Sequence, residues 1–200
     1  PEQVELQIRG DKNYEHIIVP GELFRSDMIY DVSFGIVDVD TDDTRIFVTV
    51  DGKTLFDEKV TDATLNGASG YFGVIASQDG TQVTLNDLSG NGKHYGKTTP
   101  LPLDAMIADT ANWTDFSWAH YTPKPEFGDG TVSIASTTET QWALAGYKKQ
   151  KFRNTEFQFK YRQTAAKNDG KTANYGILSW SFDSSVTNLS WNKAGGVMVT

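Results

Sequence analysis

The stretch IFVTVDGKTLFDEKVTDATLNGASGYFGVIAS (Ile46–Ser77) carries the clearest fold signal in the chain. Ile46, Val48 and Val50 recur at every second residue, which places them on one face of a β-strand. The Asp-Gly pair at 51–52 then favours a tight hairpin turn. A short outer strand follows, and a strand beginning Gly-Tyr-Phe-Gly returns. The stretch therefore predicts a hairpin and a returning strand within an antiparallel sheet.

Strand signals recur along the rest of the chain. Val4, Leu6 and Ile8 alternate with polar residues, as in a half-buried strand. Asp-Gly pairs recur at 79–80, 129–130 and 169–170. The one candidate for a helix is Leu101–Asp109. Further strand-like runs are YDVSFGIVDVD (30–40), TQVTLNDL (81–88), TVSIAS (131–136), TEFQFKYRQ (155–163), NYGILSWSF (174–182) and GGVMVT (195–200). These patterns predict an all-β fold, an antiparallel sandwich or barrel.

Length and composition limit the organisation of the chain. The 200 residues suit one β-sandwich or two small domains. The segment Gly90–Asp104 is rich in Gly, Thr and Pro and shows no alternation, so we interpret residues 93–109 as a connection between two strand groups. The chain opens with Pro1 and not with Met, which we interpret as the mark of a processed or excised piece.

The charge pattern argues against nucleic acid as a partner. The formal net charge is −8, with 17 Asp/Glu against 8 Lys/Arg in the first hundred residues. An acidic chain without a basic stripe repels phosphate backbones. No apolar run approaches the ~20 residues of a membrane span, so membrane insertion is not expected. The absence of Cys excludes disulfides and thiol chemistry.

Three segments of the second half carry a family resemblance. NWTDFSWAHYTPKPEFGDGTVSIAS (112–136) is similar to the opening strands of a concanavalin A-like lectin/glucanase sandwich. FRNTEFQFKYRQ (152–163) followed by ANYGILSW (173–180) resembles the domain of 3-keto-disaccharide hydrolases and related carbohydrate-binding modules, including the levan-binding type. The resemblance implies a two-sheet antiparallel jelly-roll sandwich.

The resemblance also implies that the two halves stand in permuted order. VELQIRGD (4–11) matches the strand that the family carries after a segment like GGVMVT, so residues 1–92 resemble the later half of the sandwich and residues 110–200 the earlier half. In one arrangement the chain closes on itself, with Val4–Ile8 paired near Val197–Thr200. In the other, the two halves belong to neighbouring tandem repeats and are completed by a neighbouring repeat or by strand exchange with a second copy.

Polar rows on two strands are the candidates for ligand binding. Sugar binding needs aromatic faces for the ring and amide, carboxylate or guanidinium groups for the hydroxyls. Glu156, Gln158, Lys160 and Arg162 share one face of a strand whose other face is aromatic. The resemblance implies that this row and that of Glu5 and Gln7 are neighbours on one sheet and line a concave face. The candidate residues are Glu5, Gln7, Glu156, Gln158, Arg162 and Trp191. The alternative is an ordinary solvated sheet face.

Two tryptophans have different predicted roles. Trp180 shares a strand face with Leu178 and Phe182, which predicts a place in the core. Trp191 lies between NLS and NKAGG, a loop-like context, and is the candidate for a platform on which a sugar ring stacks. Its alternative role is to cap the core.

A cluster of carboxylates invites a calcium hypothesis. Asp38, Asp40 and Asp42 lie in DVDTDDTR (38–45), and hard cations prefer clustered oxygen ligands. The run departs from an EF-hand, because its sixth position is Asp43 in place of Gly. A solvated hairpin tip is the alternative, and no other cofactor is indicated.

No catalytic signature of the classes considered is present in the sequence. The Glu-x-Asp-x-x-Glu strand of retaining glucanases is absent, and so are Gly-x-Ser-x-Gly and His-Glu-x-x-His. The leading hypothesis is a non-catalytic, lectin-like carbohydrate-binding module of a secreted or cell-surface bacterial protein, with a glycan or polysaccharide as its partner. The alternatives are a structural repeat of an adhesin stalk and a fragment of a glycoside-cleaving enzyme.

Overall fold

The structure is a computed structural model, which describes residues 3–10, 14–20, 27–76, 81–94, 97–101, 106, 109–115, 126–128, 130–136, 143–147, 149–164, 176–181 and 196–199. The β-strands of these residues are β1 (Gln3–Arg9), β2 (Tyr14–Pro20), β3 (Ile29–Asp38), β4 (Asp43–Val50), β5 (Lys53–Thr61), β6 (Tyr71–Ala76), β7 (Gln82–His94), β8 (Lys97–Leu101), β9 (Trp113–Asp115), β10 (Glu126–Gly128), β11 (Thr131–Ala135), β12 (Ala143–Tyr147), β13 (Thr155–Thr164), β14 (Gly176–Ser181) and β15 (Gly196–Val199). A short 3-10 helix covers Thr110–Asn112.

The strands form two antiparallel sheets. The seven-stranded sheet has the order β2-β1-β15-β14-β6-β12-β9. The eight-stranded sheet has the order β10-β11-β7-β13-β3-β4-β5, and β8 pairs with β7 outside this path. The predicted all-β antiparallel fold is confirmed. In the described part of the chain, no helix has the length and apolarity that crossing a bilayer requires.

The two sheets pack face to face around one core. Phe72 of β6 stacks on Phe157 of β13 with ring centroids 4.4 Å apart, which joins the centres of the two sheets. The buried apolar side chains on the facing sides of the two sheets belong to a single cluster, from which Phe47 on the outer face is excluded. A sheet with one apolar face must bury it against another layer, and here each sheet serves the other. The chain is a β-sandwich.

The first and the last strand are neighbours in the seven-stranded sheet. Leu6 is paired with Val199 and Ile8 with Val197 in antiparallel register. The predicted pairing of Val4–Ile8 with the segment near Val197–Thr200 is confirmed, and it occurs within one chain. Leu6 and Val197 are both fully buried, so this closure also completes the core.

Asp51 and Gly52 form the hairpin turn that the sequence predicted between β4 and β5. Both have positive φ, 48° and 75°, which is the requirement of the tight turn type favoured by Asp-Gly. The pairs at 79–80 and 169–170 lie outside the described residues. Trp180 is buried as predicted, and its indole N–H donates to the carbonyl of Phe152 at 3.0 Å.

The segment predicted as a connection is partly strand. β7 continues to His94, and Gly90 and Gly92 pair with Leu101 and Thr99 of β8. Residues 93–94 and 97–101 of the predicted connection therefore lie in strands. Ladder hydrogen bonds join backbone groups, so a Gly-rich stretch can pair without any side-chain alternation. Most of Leu101–Asp109 lies outside the described residues, so the helical candidate there stays a prediction.

Candidate functional site

The outer face of the eight-stranded sheet carries a groove of about 350 Å³. It lies on β13, on β7 and β3, which flank β13, and on β4, which lies beyond β3. Alternation along β13 produces this face, because Phe157, Phe159 and Tyr161 turn into the core while Gln158 and Lys160 remain exposed. The groove is thus built on paired strands in the middle of the sheet, and not on loops.

A row of neutral polar side chains crosses the groove, and we call it the hydroxyl row. Gln158 of β13 is paired with Ser89 of β7 on one side and with Ser33 of β3 on the other. Ser33 is in turn paired with Thr49 of β4. Neighbouring strands lie about 4.8 Å apart, so the row spans about 14 Å. Within the described residues, the hydroxyls of Ser33, Thr49 and Ser89 make no hydrogen bond to protein.

A row of charged side chains lies one step further along the strands. The Nζ of Lys160 is 3.3 Å from Oδ2 of Asp87 and 3.8 Å from Oδ1 of Asp31. The ammonium therefore lies between two carboxylates that come from the strands on either side of β13. All three side chains line the groove.

A β-bulge brings Asp87 into this row. Gln158 faces Ser89, but Lys160 faces Asn86, so β7 has one residue more than β13 between these pairs. Asp87 has a φ of 52°, and its neighbour Leu88 is buried in the core. Bulges of this kind redirect a side chain, and here the Asp87 carboxylate turns outward to Lys160.

The β4–β5 turn closes one end of the groove. Oδ1 of Asp51 accepts a hydrogen bond from the backbone N–H of Asp31 at 2.9 Å, and the backbone N–H of Asp51 donates to the carbonyl of Asp31. Gly52 lines the groove beside them. These two bonds hold the turn against β3.

Beyond the hydroxyl row, the same face is closed by side chains. The ring of Phe47 covers Gly35 so closely that a Cβ there would lie 2.1 Å from a ring atom. The guanidinium of Arg45 lies 4.9 Å from the ring centroid and binds both oxygens of Asp57, at 2.6 and 2.8 Å. This hydrogen-bonded guanidinium lowers the pKa of Asp57. The groove is therefore bounded by a packed region on this side.

The predicted residues of β13 lie on this face, but only Gln158 lines the groove. Glu156 is 8% exposed, and its Oε1 accepts a hydrogen bond from Nε2 of Gln158 at 3.1 Å. Arg162 is exposed, and its Nη2 donates to Oδ1 of Asp27 at 3.1 Å. Thr164 and Arg162 together lower the pKa of Asp27 through their hydrogen bonds.

Glu5 and Gln7 lie on the other sheet. β1 belongs to the seven-stranded sheet and β13 to the eight-stranded sheet, so the prediction that their polar rows are neighbours on one sheet is wrong. Alternation identifies the face of a strand, but long-range pairing decides the sheet to which the strand belongs. Gln7 is also buried, at 3% exposure. Trp191, the predicted platform, lies outside the described residues.

Asp38 ties three segments of the chain together. Its Oδ2 accepts from the guanidinium of Arg153, with Nη2 at 3.2 Å. Its Oδ1 accepts from the hydroxyl of Thr44 at 3.2 Å and from the backbone N–H of Gly67 at 3.1 Å. Both oxygens are thus bound to protein donors, and the residue is buried.

Asp40 and Asp42 lie at the tip of the β3–β4 hairpin. Oδ1 of Asp40 accepts from the backbone N–H groups of Asp42 and Asp43, each at 2.9 Å. This arrangement is a turn in which the side chain replaces a backbone acceptor. Among the described residues, no group of three or more His, Cys, Asp or Glu is placed to hold a metal ion. Calcium binding at these residues stays an untested prediction.

A second polar cluster surrounds Asp109, before β9. Its Oδ2 accepts from Lys149 at 2.8 Å and from the hydroxyl of Tyr147 at 2.9 Å, and its Oδ1 accepts from Nδ2 of Asn112 at 2.7 Å. These donors, Lys149 first, lower the pKa of Asp109 to about 2. Burial, with the neighbouring carboxylate, raises the pKa of Tyr147 to about 12. The cluster fastens the start of β9 to β12.

Sequence reasoning missed most of the groove. Asp31 and Ser33 alternate with the buried residues of β3, which was a usable signal for an outward-facing row. Lys160 was recognised in the polar row of β13 but not as a binding residue. Asp87 could not be found from alternation, because the bulge interrupts the period at that position.

No protein-family model matches this chain, and no curated protein sequence matches it at a significant level. The resemblance to concanavalin-like carbohydrate-binding modules therefore stays a prediction.

Proposed function

We propose that this protein is a non-catalytic, lectin-like carbohydrate-binding module that holds a short saccharide in the groove of the eight-stranded sheet. The observation that carries the proposal is the hydroxyl row of Ser89, Gln158, Ser33 and Thr49. Ser and Thr hydroxyls donate and accept hydrogen bonds, as sugar hydroxyls do. Each can therefore bind a sugar hydroxyl either as donor or as acceptor. The volume of about 350 Å³ falls within the range of small-ligand sites.

The rigidity of the groove supports binding. Its polar side chains project from the paired strands β7, β13, β3 and β4. A site on paired strands is already ordered before the ligand arrives, so binding costs less conformational entropy than it would on loops. This favours useful affinity for a ligand that offers only hydroxyls.

The charged row supports a role without catalysis. Glycosidases place two carboxyl groups on either side of the scissile bond. In the groove, the space between Asp31 and Asp87 is taken by the ammonium of Lys160. A saccharide bound here meets an ion-paired surface in place of an acid and a nucleophile. The glycoside-cleaving alternative therefore has less support.

The structural-repeat alternative stays a prediction of the sequence. Extracellular location and a place in an adhesin remain expectations of the sequence.

Glycan-array screening followed by calorimetric titration tests the proposal. We expect the wild type to bind at least one saccharide, and Gln158→Ala to weaken that binding about tenfold, which is the loss of one or two hydrogen bonds. Gln82→Ala is the matched control, because Gln82 lies on the same sheet but bonds to Ser133 outside the groove. Absence of saccharide binding by the wild type, or equal losses in the two variants, would refute the proposal.

A further inference from the structure

We infer that the groove selects uncharged saccharides and rejects those that carry carboxylate or sulfate groups. The inference rests on the proposed function and specifies its ligand class. It comes from two features of the groove, the arrangement of its charges and the hydrogen-bond sense of its central amide.

Negative charge exceeds positive charge in and beside the groove. Lys160 supplies one ammonium, and it is shared by the carboxylates of Asp31 and Asp87. Glu156 lies beside the groove in hydrogen-bond contact with Gln158, and its charge is partly offset by Arg45, whose pKa it helps to raise. An acidic ligand would have to displace an aspartate from Lys160 and then lie beside the displaced carboxylate. Contact between like charges is strongly unfavourable, so the groove discriminates against acidic ligands.

The cations next to the groove do not reverse this balance. Arg45 is bound to Asp57 and Arg162 to Asp27. Lys53 is exposed at the β4–β5 turn and does not line the groove. The excess of carboxylate over ammonium within the groove therefore persists on this part of the face.

The amide of Gln158 has a defined orientation. Its Nε2 donates to Oε1 of Glu156 at 3.1 Å, so the NH₂ group faces Glu156. Its carbonyl oxygen is left to accept from the ligand. A hydroxyl can donate to that oxygen, whereas a carboxylate or sulfate cannot. Gln158, at the centre of the hydroxyl row, thus disfavours acidic ligands, as the charges of the groove do.

The test uses the neutral saccharide that binds best on a glycan array and its C6-carboxylate, made by oxidation of the primary alcohol. We expect the wild type to bind the neutral form at least about tenfold more tightly, a difference of about 1.4 kcal/mol. Asp87→Asn should reduce the ratio of the two affinities, neutral form over carboxylate, several-fold, because it removes one carboxylate from the groove. Asn tolerates positive φ, so the bulge is retained. Asp57→Asn is the matched control, since Asp57 lies on the same sheet, bound to Arg45.

The outcomes separate the inference from the proposed function. If the carboxylate binds as well as the neutral form, or if the array shows acidic glycans alone, the inference is overturned and carbohydrate binding stands. If the ratio of the two affinities is the same in the wild type and in Asp87→Asn, the weaker binding of the carboxylate reflects a missing hydroxyl contact. The electrostatic cause is then overturned. If no saccharide binds, the proposed function fails and the inference fails with it.

Discussion

Leu6 of β1 lies directly opposite Val199 of β15, and the two residues join the first strand of the chain to the last. β15 in turn pairs with β14, where Leu178 faces the same Val199. Leu6 is fully buried in the core between the sheets. The closure of the sandwich therefore depends on contacts between residues almost two hundred positions apart.

Leu6→Ala should destabilise the protein by about 2–5 kcal/mol, because it leaves a cavity at a fully buried position. Ile18→Ala is the control, since Ile18 lies on the neighbouring strand β2 and is 55% exposed; we expect a change within about 0.5 kcal/mol. Urea denaturation of both variants measures the difference. Similar, small effects in both would contradict the closure.

A circular permutant tests the same closure without removing any side chain. Thr200 is joined to Pro1 by a short Gly/Ser linker, and the new ends are placed between β8 and the 3-10 helix. Because Leu6 and Val199 are already paired, we expect the sheet content by circular dichroism to be unchanged and unfolding to remain cooperative. The fragment 1–101 is the control and should not fold, because it lacks β13 from the centre of the eight-stranded sheet. A permutant that unfolds without cooperativity would argue against the observed pairing.

Gly35 and Phe47 should be energetically coupled. A methyl group at Gly35 would lie 2.1 Å from a ring atom of Phe47, so Gly35→Ala forces the ring away and should cost about 1–3 kcal/mol. In a Phe47→Ala background the same change should cost less, with a coupling energy of about 0.5–3 kcal/mol. A double-mutant cycle by urea denaturation measures it. Additive effects would show that the ring does not occupy the space above Gly35.

Asp109 should contribute to stability in a defined range of pH. Its pKa is lowered from 3.8 to about 2, so its charged form is favoured in the folded state. The contribution is complete above the unfolded pKa and is lost as the pH falls from about 4 through about 2. Urea denaturation at a series of pH values should show that the difference in free energy of unfolding between wild type and Asp109→Asn disappears over this range. A difference that stays constant from pH 6 to pH 2 would contradict the assignment.

Tyr147 should act at the other end of the pH scale. Its pKa is raised from 10.0 to about 12, mainly by burial, so the folded state favours the neutral phenol. Its contribution is complete below about 10 and is lost as the pH rises towards 12. Tyr147→Phe should remove this loss, so the stability of the variant should fall less steeply above pH 10. An identical alkaline profile in both proteins would refute the prediction.

Local geometry explains the part of the fold that was predictable. Alternation in TEFQFKYRQ correctly placed Phe157, Phe159 and Tyr161 on one strand face, which is the buried one, because successive side chains of any strand point to opposite faces. The Asp51-Gly52 turn was also predictable from local sequence, since Asp and Gly tolerate the positive φ that this turn requires. The site residue Gln158 followed directly from the alternation.

The sequence by itself determined many of the strands, among them β1, β3, β4 and β13, with their buried faces and the tight turn, because each depends on residues within a few positions of one another. Only the tertiary structure decided that β1 and β13 lie in different sheets and that β7 extends to His94. It also placed Asp31 and Asp87 on either side of Lys160. Pairing between distant strands and the bulge in β7 arise from the free energy of the whole sandwich, and no local pattern of side chains encodes them.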